Sequence, residues 1–216
     1  MHGTYDPKFA RAAEAFASNF EEGENQDIGA SFAATIDGEM VVDIWAGHAD
    51  VAKTRPSEHD TIVNVWSTAK SLVIMGIHML VGRCLLDIEA PVSGYWPEFA
   101  QGGKENMPVM WLLTHQSALS RLMGDMLSVE ASYDWDLIVG KLAQQEPLWE
   151  PETQSGYHSV TFGFLVGEVI LLVSGKTVGT FLREEVAEPL GADFHVGLGD
   201  EHFGRVAELS VPTPRP

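Results

Sequence analysis

The chain of 216 residues holds one cysteine, Cys84. No disulfide can form within it, and cysteine usage says little about redox compartment. Basic residues are also scarce, with 13 Lys and Arg against 31 Asp and Glu, for a formal net charge of −18. The acids are scattered rather than gathered in a tail. Phosphate binding needs clustered Lys and Arg, so this balance argues against nucleic acid and against docking on an anionic membrane. The longest apolar stretch, Leu72 to Val81, is too short to span a bilayer and is flanked by Lys70 and Arg83, which marks a buried helix. The opening Met1-His2-Gly3-Thr4-Tyr5-Asp6 has neither the basic nor the apolar region of a secretory signal, so the expected localisation is cytoplasmic. The histidines make no His-x-x-x-His pair, and there is no cysteine cluster and no phosphate-binding glycine loop. Neither a metal nor a cofactor is expected.

What is present is a globular composition, 45% apolar and 20% charged, on a length suited to one domain or two. Phe9, Ala12, Ala13, Phe16 and Phe20 recur at helical spacing and predict an amphipathic helix from Pro7 to about Glu22. Glu21 to Gly29 reads as a loop. Two β-prone runs, Ala30–Ile36 and Met40–Ala46, flank Asp37-Gly38, a hairpin signal because both turn residues must tolerate positive φ. Gly47 to Asp60 is a long polar connection, and Thr61–Val65 a short extended piece. From Ser67 to Gly82 the pattern is helical and apolar on nearly every side, which belongs in the middle of a protein.

Further helices are expected at about 109–114 and 135–145. Ser159 to Val173 is a second strongly apolar helix, whose Gly163 and Gly167 suit close approach of another backbone. Another runs from Val178 to Ala187, stopped by Pro189 and Gly191. The tail from Val211 reads as extended. Residues 1–66 form one region, an N-terminal helix and hairpin, and 67–216 a mostly helical one. A lone hairpin is marginal in water, so the sheet reads as incomplete.

Ser67-Thr68-Ala69-Lys70 is the only Ser-x-x-Lys of the chain. Positions i and i+3 of a helix share a face, so the lysine amine can reach the serine hydroxyl. A serine is a weak nucleophile until a base takes its proton. A helix N-terminus also favours developing negative charge and offers N–H groups to an oxyanion. Such a tetrad arises often by chance, and a capping serine beside a solvated lysine is the ordinary outcome. Its position, opening the most apolar helix straight after an extended segment, makes it a candidate site.

Gly156-Tyr157-His158-Ser159 precedes the other apolar helix. Tyr157 there can serve as a second base or as the acid for the leaving group, although a loop tyrosine beside a capping serine is the commoner arrangement. Gly29-Ala30-Ser31-Phe32-Ala33 half-matches a nucleophile elbow but lacks the final glycine and falls in a strand. Ser174-Gly175-Lys176-Thr177 follows a helix and reads as a decoy.

The chain resembles the class C β-lactamase-like serine hydrolases, specifically the family VIII esterases. Five segments carry the resemblance in the family's order: Asp60–Lys70, Pro91–Phe99, Trp111–Leu119, Gly156–Gly163 and Glu188–Phe194. The resemblance implies a β-lactamase/transpeptidase-like α/β fold, a helical domain packed on an antiparallel sheet. It implies Ser67 as acylated nucleophile, with Lys70 and Tyr157 sharing the proton transfers. Ser159, at the position that helps hold the substrate in class C β-lactamases, and His158, which adjoins Tyr157, are the substrate-binding candidates, although a single loop histidine is more often a surface residue. The implied reaction is hydrolysis of a small-molecule carboxylic ester through an acyl-enzyme, without a cofactor. Class C β-lactamases carry Asn where Ser159 stands, which favours an esterase. Family members are almost twice this long, their further portion supplying core strands and a third motif. The chain is therefore expected to be a fragment, or one piece of a complex completed by another chain, and nearly inactive alone. Two other readings are a β-lactamase or D-amino peptidase on the same scaffold, and a non-catalytic interaction module of the same fold.

Overall fold

The structure, a computed structural model, describes residues 1–21, 26–124 and 128–210. The tail from Val211, part of the Glu21–Gly29 loop, and Glu22 at the end of the first expected helix lie outside the described residues. The chain divides into two compact units, Met1–Asn64 with Leu198–Pro216, and Val65–Gly197.

The first unit is built on an antiparallel sheet of β1 (His2–Tyr5), β2 (Gly29–Ile36) and β3 (Glu39–Gly47), in the order β1-β3-β2. The hairpin forms at the expected place. Asp37 and Gly38 take φ of 51° and 84°, the pair of positive values that matches a two-residue turn to the twist of its strands. On β3, Val42, Ile44 and Ala46 alternate onto the buried face, against Ala13 and Phe16 of α1 (Ala10–Ser18). That helix is shorter than its apolar pattern suggested, because Pro7–Phe9 forms a separate 3-10 turn. β1 escaped the sequence reading, since its four residues are all exposed and show no alternation. It pairs His2 with Trp45 through Tyr5 with Val42, and Gly3 lies so close to β3 that a Cβ there would sit 2.0 Å from the Asp43 carbonyl.

The long connection after β3 is organised by buried Asp50, which accepts from the peptide N–H groups of Thr54 and Arg55 and from the Thr54 hydroxyl. Thr61–Val65 makes no strand; Ile62 forms an isolated parallel bridge to Val206. That bridge, with Arg55 donating to the Gly204 and Val206 carbonyls at 3.1 Å each, sets the residues after Leu198 in this unit rather than in the helical region.

The second unit is helical. α2 (Ala69–Gly82) and α5 (Thr161–Ser174) supply much of one core, with α3 (Val109–Leu113), α4 (Trp135–Gln144) and α6 (Val178–Leu182) around them. Ile77, Leu112, Leu142, Leu165, Val169 and Ile170 are fully buried in it. Burial of each such side chain contributes about 1.5–3 kcal/mol.

Gly167 gives close packing of a different kind from that expected. It accommodates the Trp135 indole, which a Cβ would approach to 2.7 Å, while Gly163 faces open space. After α6 the helix does not stop at Pro189. It widens into a π turn at Arg183–Ala187 and continues through α7 (Glu188–Leu190), whose first turn tolerates a proline; Gly191, at φ 61°, ends it. No single helix among the described residues is long and apolar enough to cross a membrane.

Candidate active site

The site lies within the second unit. The chain enters a 3-10 turn at Trp66–Thr68, which runs directly into α2. Trp66 takes φ 48°, uncommon for a bulky residue, so the chain turns sharply just before Ser67. Ser67 is exposed and Lys70 half-buried. Lys70 Nζ stands 3.0 Å from Ser67 Oγ and donates to the Ser159 carbonyl at 2.9 Å. It also lies over two aromatic rings, 5.2 Å from the centre of Tyr157 and 5.6 Å from that of Phe162.

Tyr157 completes the cluster. Its hydrogen bond with Ser67 holds the phenol below the ordinary tyrosine value, against some desolvation and with added help from the Lys70 hydrogen bond and charge. One hydroxyl thus meets an amine and a phenol, so protons can pass among three groups without rearrangement.

The loop bearing Tyr157 is fixed by Trp149, His115 and Ser117, which the sequence reading did not single out, and by His158, which it placed against the substrate. Gly156 packs beneath Trp149, whose ring a Cβ would approach to 2.3 Å. His158 is fully buried. Its Nδ1 faces the Gly156 carbonyl at 2.5 Å, and that oxygen can only accept, so Nδ1 carries the proton. Nε2 then accepts from the Leu119 N–H at 3.3 Å and from the Ser117 hydroxyl at 2.7 Å. Burial holds this imidazole neutral, pushing it down to about 4 against the pull of the Gly156 carbonyl, with His115 adding to the fall.

The peptide N–H of His158 donates to Nδ1 of His115 at 3.2 Å, and the His115 ring stands edge-on to Tyr157 at 4.9 Å. Burial, then the charge of Lys70, lowers His115 as well. Ser117 and His158 resemble a nucleophile–base pair, but both are sealed from solvent and no substrate reaches them. His158 therefore faces the protein interior, and Ser159, whose side chain is exposed, meets Lys70 through its backbone carbonyl.

Ser31 lies on β2, opposite Trp45 of β3. Lys176 is engaged by Glu184 and Glu185, each at 3.0 Å, next to the left-handed Gly175 that caps α5. Lys176 is thus held within its own helical segment, and Ser31 belongs to the sheet of the first unit. His115 and Ser117 had no signal of their own; they sit in the Trp111–Leu119 segment that carries the family resemblance, and their pairing with 156–158 is long-range. No group of three His, Cys, Asp or Glu among the described residues could hold a metal ion.

A serine, a lysine one helical turn on, and a tyrosine from a distant loop, in the helical unit of a chain that also forms a small antiparallel sheet, define the serine-reactive β-lactamase-like class. The chain belongs to the Beta-lactamase family, whose model matches residues 15–216. It is 37% identical over 214 residues to the esterase/beta-lactamase LipL of Mycobacterium tuberculosis, covering 98% of this chain and 49% of that protein.

Among solved structures, a penicillin-binding protein homologue from Caulobacter crescentus aligns with TM-score 0.93 and 40% identity, over 100% of this chain and 57% of the other. A family VIII carboxylesterase aligns with TM-score 0.91 and 40% identity, over 97% and 57%. The chain thus spans about half the length of these relatives.

Proposed function

We propose that the chain carries the nucleophile half of a serine hydrolase that cleaves carboxylic esters through an acyl-enzyme on Ser67. The contact between Ser67 Oγ and Lys70 Nζ at 3.0 Å, at the opening of α2, carries this reading. Lys70, having released its own proton to solvent, takes the Ser67 proton as Oγ attacks the ester carbonyl. Negative charge gathers on the former carbonyl oxygen, beside the N–H groups of the opening turn. Collapse of this intermediate breaks the bond to the alkoxy group, which leaves as the alcohol with a proton delivered through Tyr157. Water, giving up a proton to the same pair, then attacks the acyl carbon; acid departs and the proton returns to Ser67.

LipL and the carboxylesterase structure support ester over other acyl substrates, and the name of LipL also spans β-lactam chemistry. The family resemblance assigns a second oxyanion donor to the half of the relatives that this chain does not span. Loss of one such donor costs about 100- to 1,000-fold, so turnover by the 216-residue chain should be weak. Short-chain p-nitrophenyl esters and a chromogenic cephalosporin, each offered to wild type and Ser67→Ala, test the assignment. Ser67-dependent ester cleavage exceeding β-lactam cleavage supports it. Cleavage that survives Ser67→Ala removes Ser67 as nucleophile, and β-lactam turnover exceeding ester turnover replaces the substrate class.

A further inference from the structure

We propose that His115 and His158 are positioning residues, a pair of neutral imidazoles that sets the Tyr157 phenol against Ser67. The proposal rests on the reading of Ser67 as nucleophile and goes beyond it, since neither histidine touches Ser67 or reacts.

Tyr157 sits between two backbone anchors. Before it, Gly156 accepts from His158 Nδ1 through its carbonyl and donates its N–H to the His115 carbonyl at 3.0 Å. After it, the His158 N–H donates to His115 Nδ1. His158 in turn is held from beneath by the Leu119 N–H and the Ser117 hydroxyl. The segment 115–119 therefore grips residues 156 and 158 on either side of the tyrosine, and the His115 and Tyr157 rings meet edge-on with centres 4.9 Å apart.

The grip works in one protonation state. A second proton on His158 would set Nε2–H against the Leu119 N–H, two donors facing each other. A proton on His115 Nδ1 would do the same to the His158 N–H. The titratable groups bearing on the two rings are Lys70 from α2, Tyr157 and the rings themselves. Burial opposes protonation of both rings, and the charge of Lys70 adds to this at His115, so the pair stays neutral beside the site.

His115 is half-buried, which makes it the practical lever. His115→Phe keeps a ring against Tyr157 and removes the acceptor for the His158 N–H; His115→Asn loses the ring and can present an oxygen where Nδ1 was. Two readouts apply to the 216-residue chain. One is the phenol titration of Tyr157, taken as the absorbance difference from the matching Tyr157→Phe protein. The other is the rate of labelling by a fluorophosphonate.

In His115→Phe the Tyr157 titration should rise toward the ordinary tyrosine value of about 10, and labelling should slow by more than ~10-fold. His115→Asn should recover most of both. A Tyr157 titration unchanged in His115→Phe, or moved equally in both variants, overturns the proposal. Should a variant fail to fold, long-range 1H–15N spectra of the unmodified chain decide. His158 protonated on Nδ1 and His115 on Nε2 is the expected pair, and the opposite tautomer at either ring refutes it. If the titration behaves as expected while Ser67 is never labelled, the nucleophile reading fails and the positioning stands.

Discussion

Lys70 donates to the carbonyl oxygen of Ser159 at 2.9 Å, which ties the first turn of α2 to the loop bearing Tyr157. The same amine meets Ser67 Oγ at 3.0 Å, so one side chain both tethers the two halves of the site and lies within reach of the serine hydroxyl. Substitution separates the roles. Lys70→Arg keeps a cation and a donor but cannot deprotonate near neutrality. It should slow Ser67 acylation by about 100- to 10,000-fold, as Lys70→Met should. Acylation in Lys70→Arg within tenfold of wild type would mean that charge or tethering, not proton transfer, is what Lys70 supplies.

Gly156 is the tightest point beneath the site. A Cβ there would lie 2.3 Å from the Trp149 ring, so Gly156→Ala must displace either the indole or the backbone next to Tyr157. A loss of about 1–3 kcal/mol in stability is expected, together with slower labelling of Ser67. Trimming the indole with Trp149→Leu in the same chain should recover part of the labelling. If Gly156→Ala leaves both melting and labelling unchanged, the loop tolerates movement that this account forbids.

His158 links the site to pH. Its imidazole is held at about 4 in the folded chain, against about 6.5 when unfolded. Between these values the unfolded chain binds more protons, so folding stability must fall as pH falls. The contribution is whole above about pH 6.5 and lost on descending to about 4, with a full size on the order of 3 kcal/mol. Urea midpoints measured across that window should drop in wild type. A profile that stays flat from pH 7 to 4 contradicts a buried neutral His158.

Lys104 is a stability element away from the chemistry. It is fully buried, with Nζ donating to the carbonyls of Gln101 at 2.8 Å, Ala143 at 3.0 Å and Gln145 at 2.5 Å. It thereby ties the 101–104 turn to the end of α4, where unpaired carbonyls collect. Lys104→Met leaves the Ala143 and Gln145 carbonyls without this donor, while the Gln101 carbonyl keeps the peptide N–H of residue 104 at 3.2 Å. At about 1–3 kcal/mol for each buried unsatisfied group, the loss should be about 2 kcal/mol or more. The fluorophosphonate labelling rate of the folded fraction should not change; a selective loss of labelling without destabilisation would place Lys104 in the site.

Much of this was legible from local chemistry. Asp37-Gly38 between β-prone runs located the hairpin because few residue pairs accept two positive φ values. The apolar helices α2 and α5 were legible because their composition excludes a surface position. Ser67 and Lys70 lie one helical turn apart, so their meeting needed only that helix.

What stayed hidden depends on distant partners. β1 owes its existence to the edge of β3, not to its own exposed residues. The residues after Leu198 join the first unit through the Ile62–Val206 bridge, across more than half the chain. The grip of His115 and Ser117 on the 156–158 loop is likewise a tertiary event, and the positive φ of His115 and Ala118 that shapes it leaves no trace in residue type.

Intact-mass spectrometry after fluorophosphonate treatment of the 216-residue chain and its Ser67→Ala variant tests the central claim most directly. The account predicts one adduct on wild type and none on Ser67→Ala. An adduct retained in Ser67→Ala, or a folded wild-type chain that never gains one, would contradict the assignment of Ser67 as the activated nucleophile.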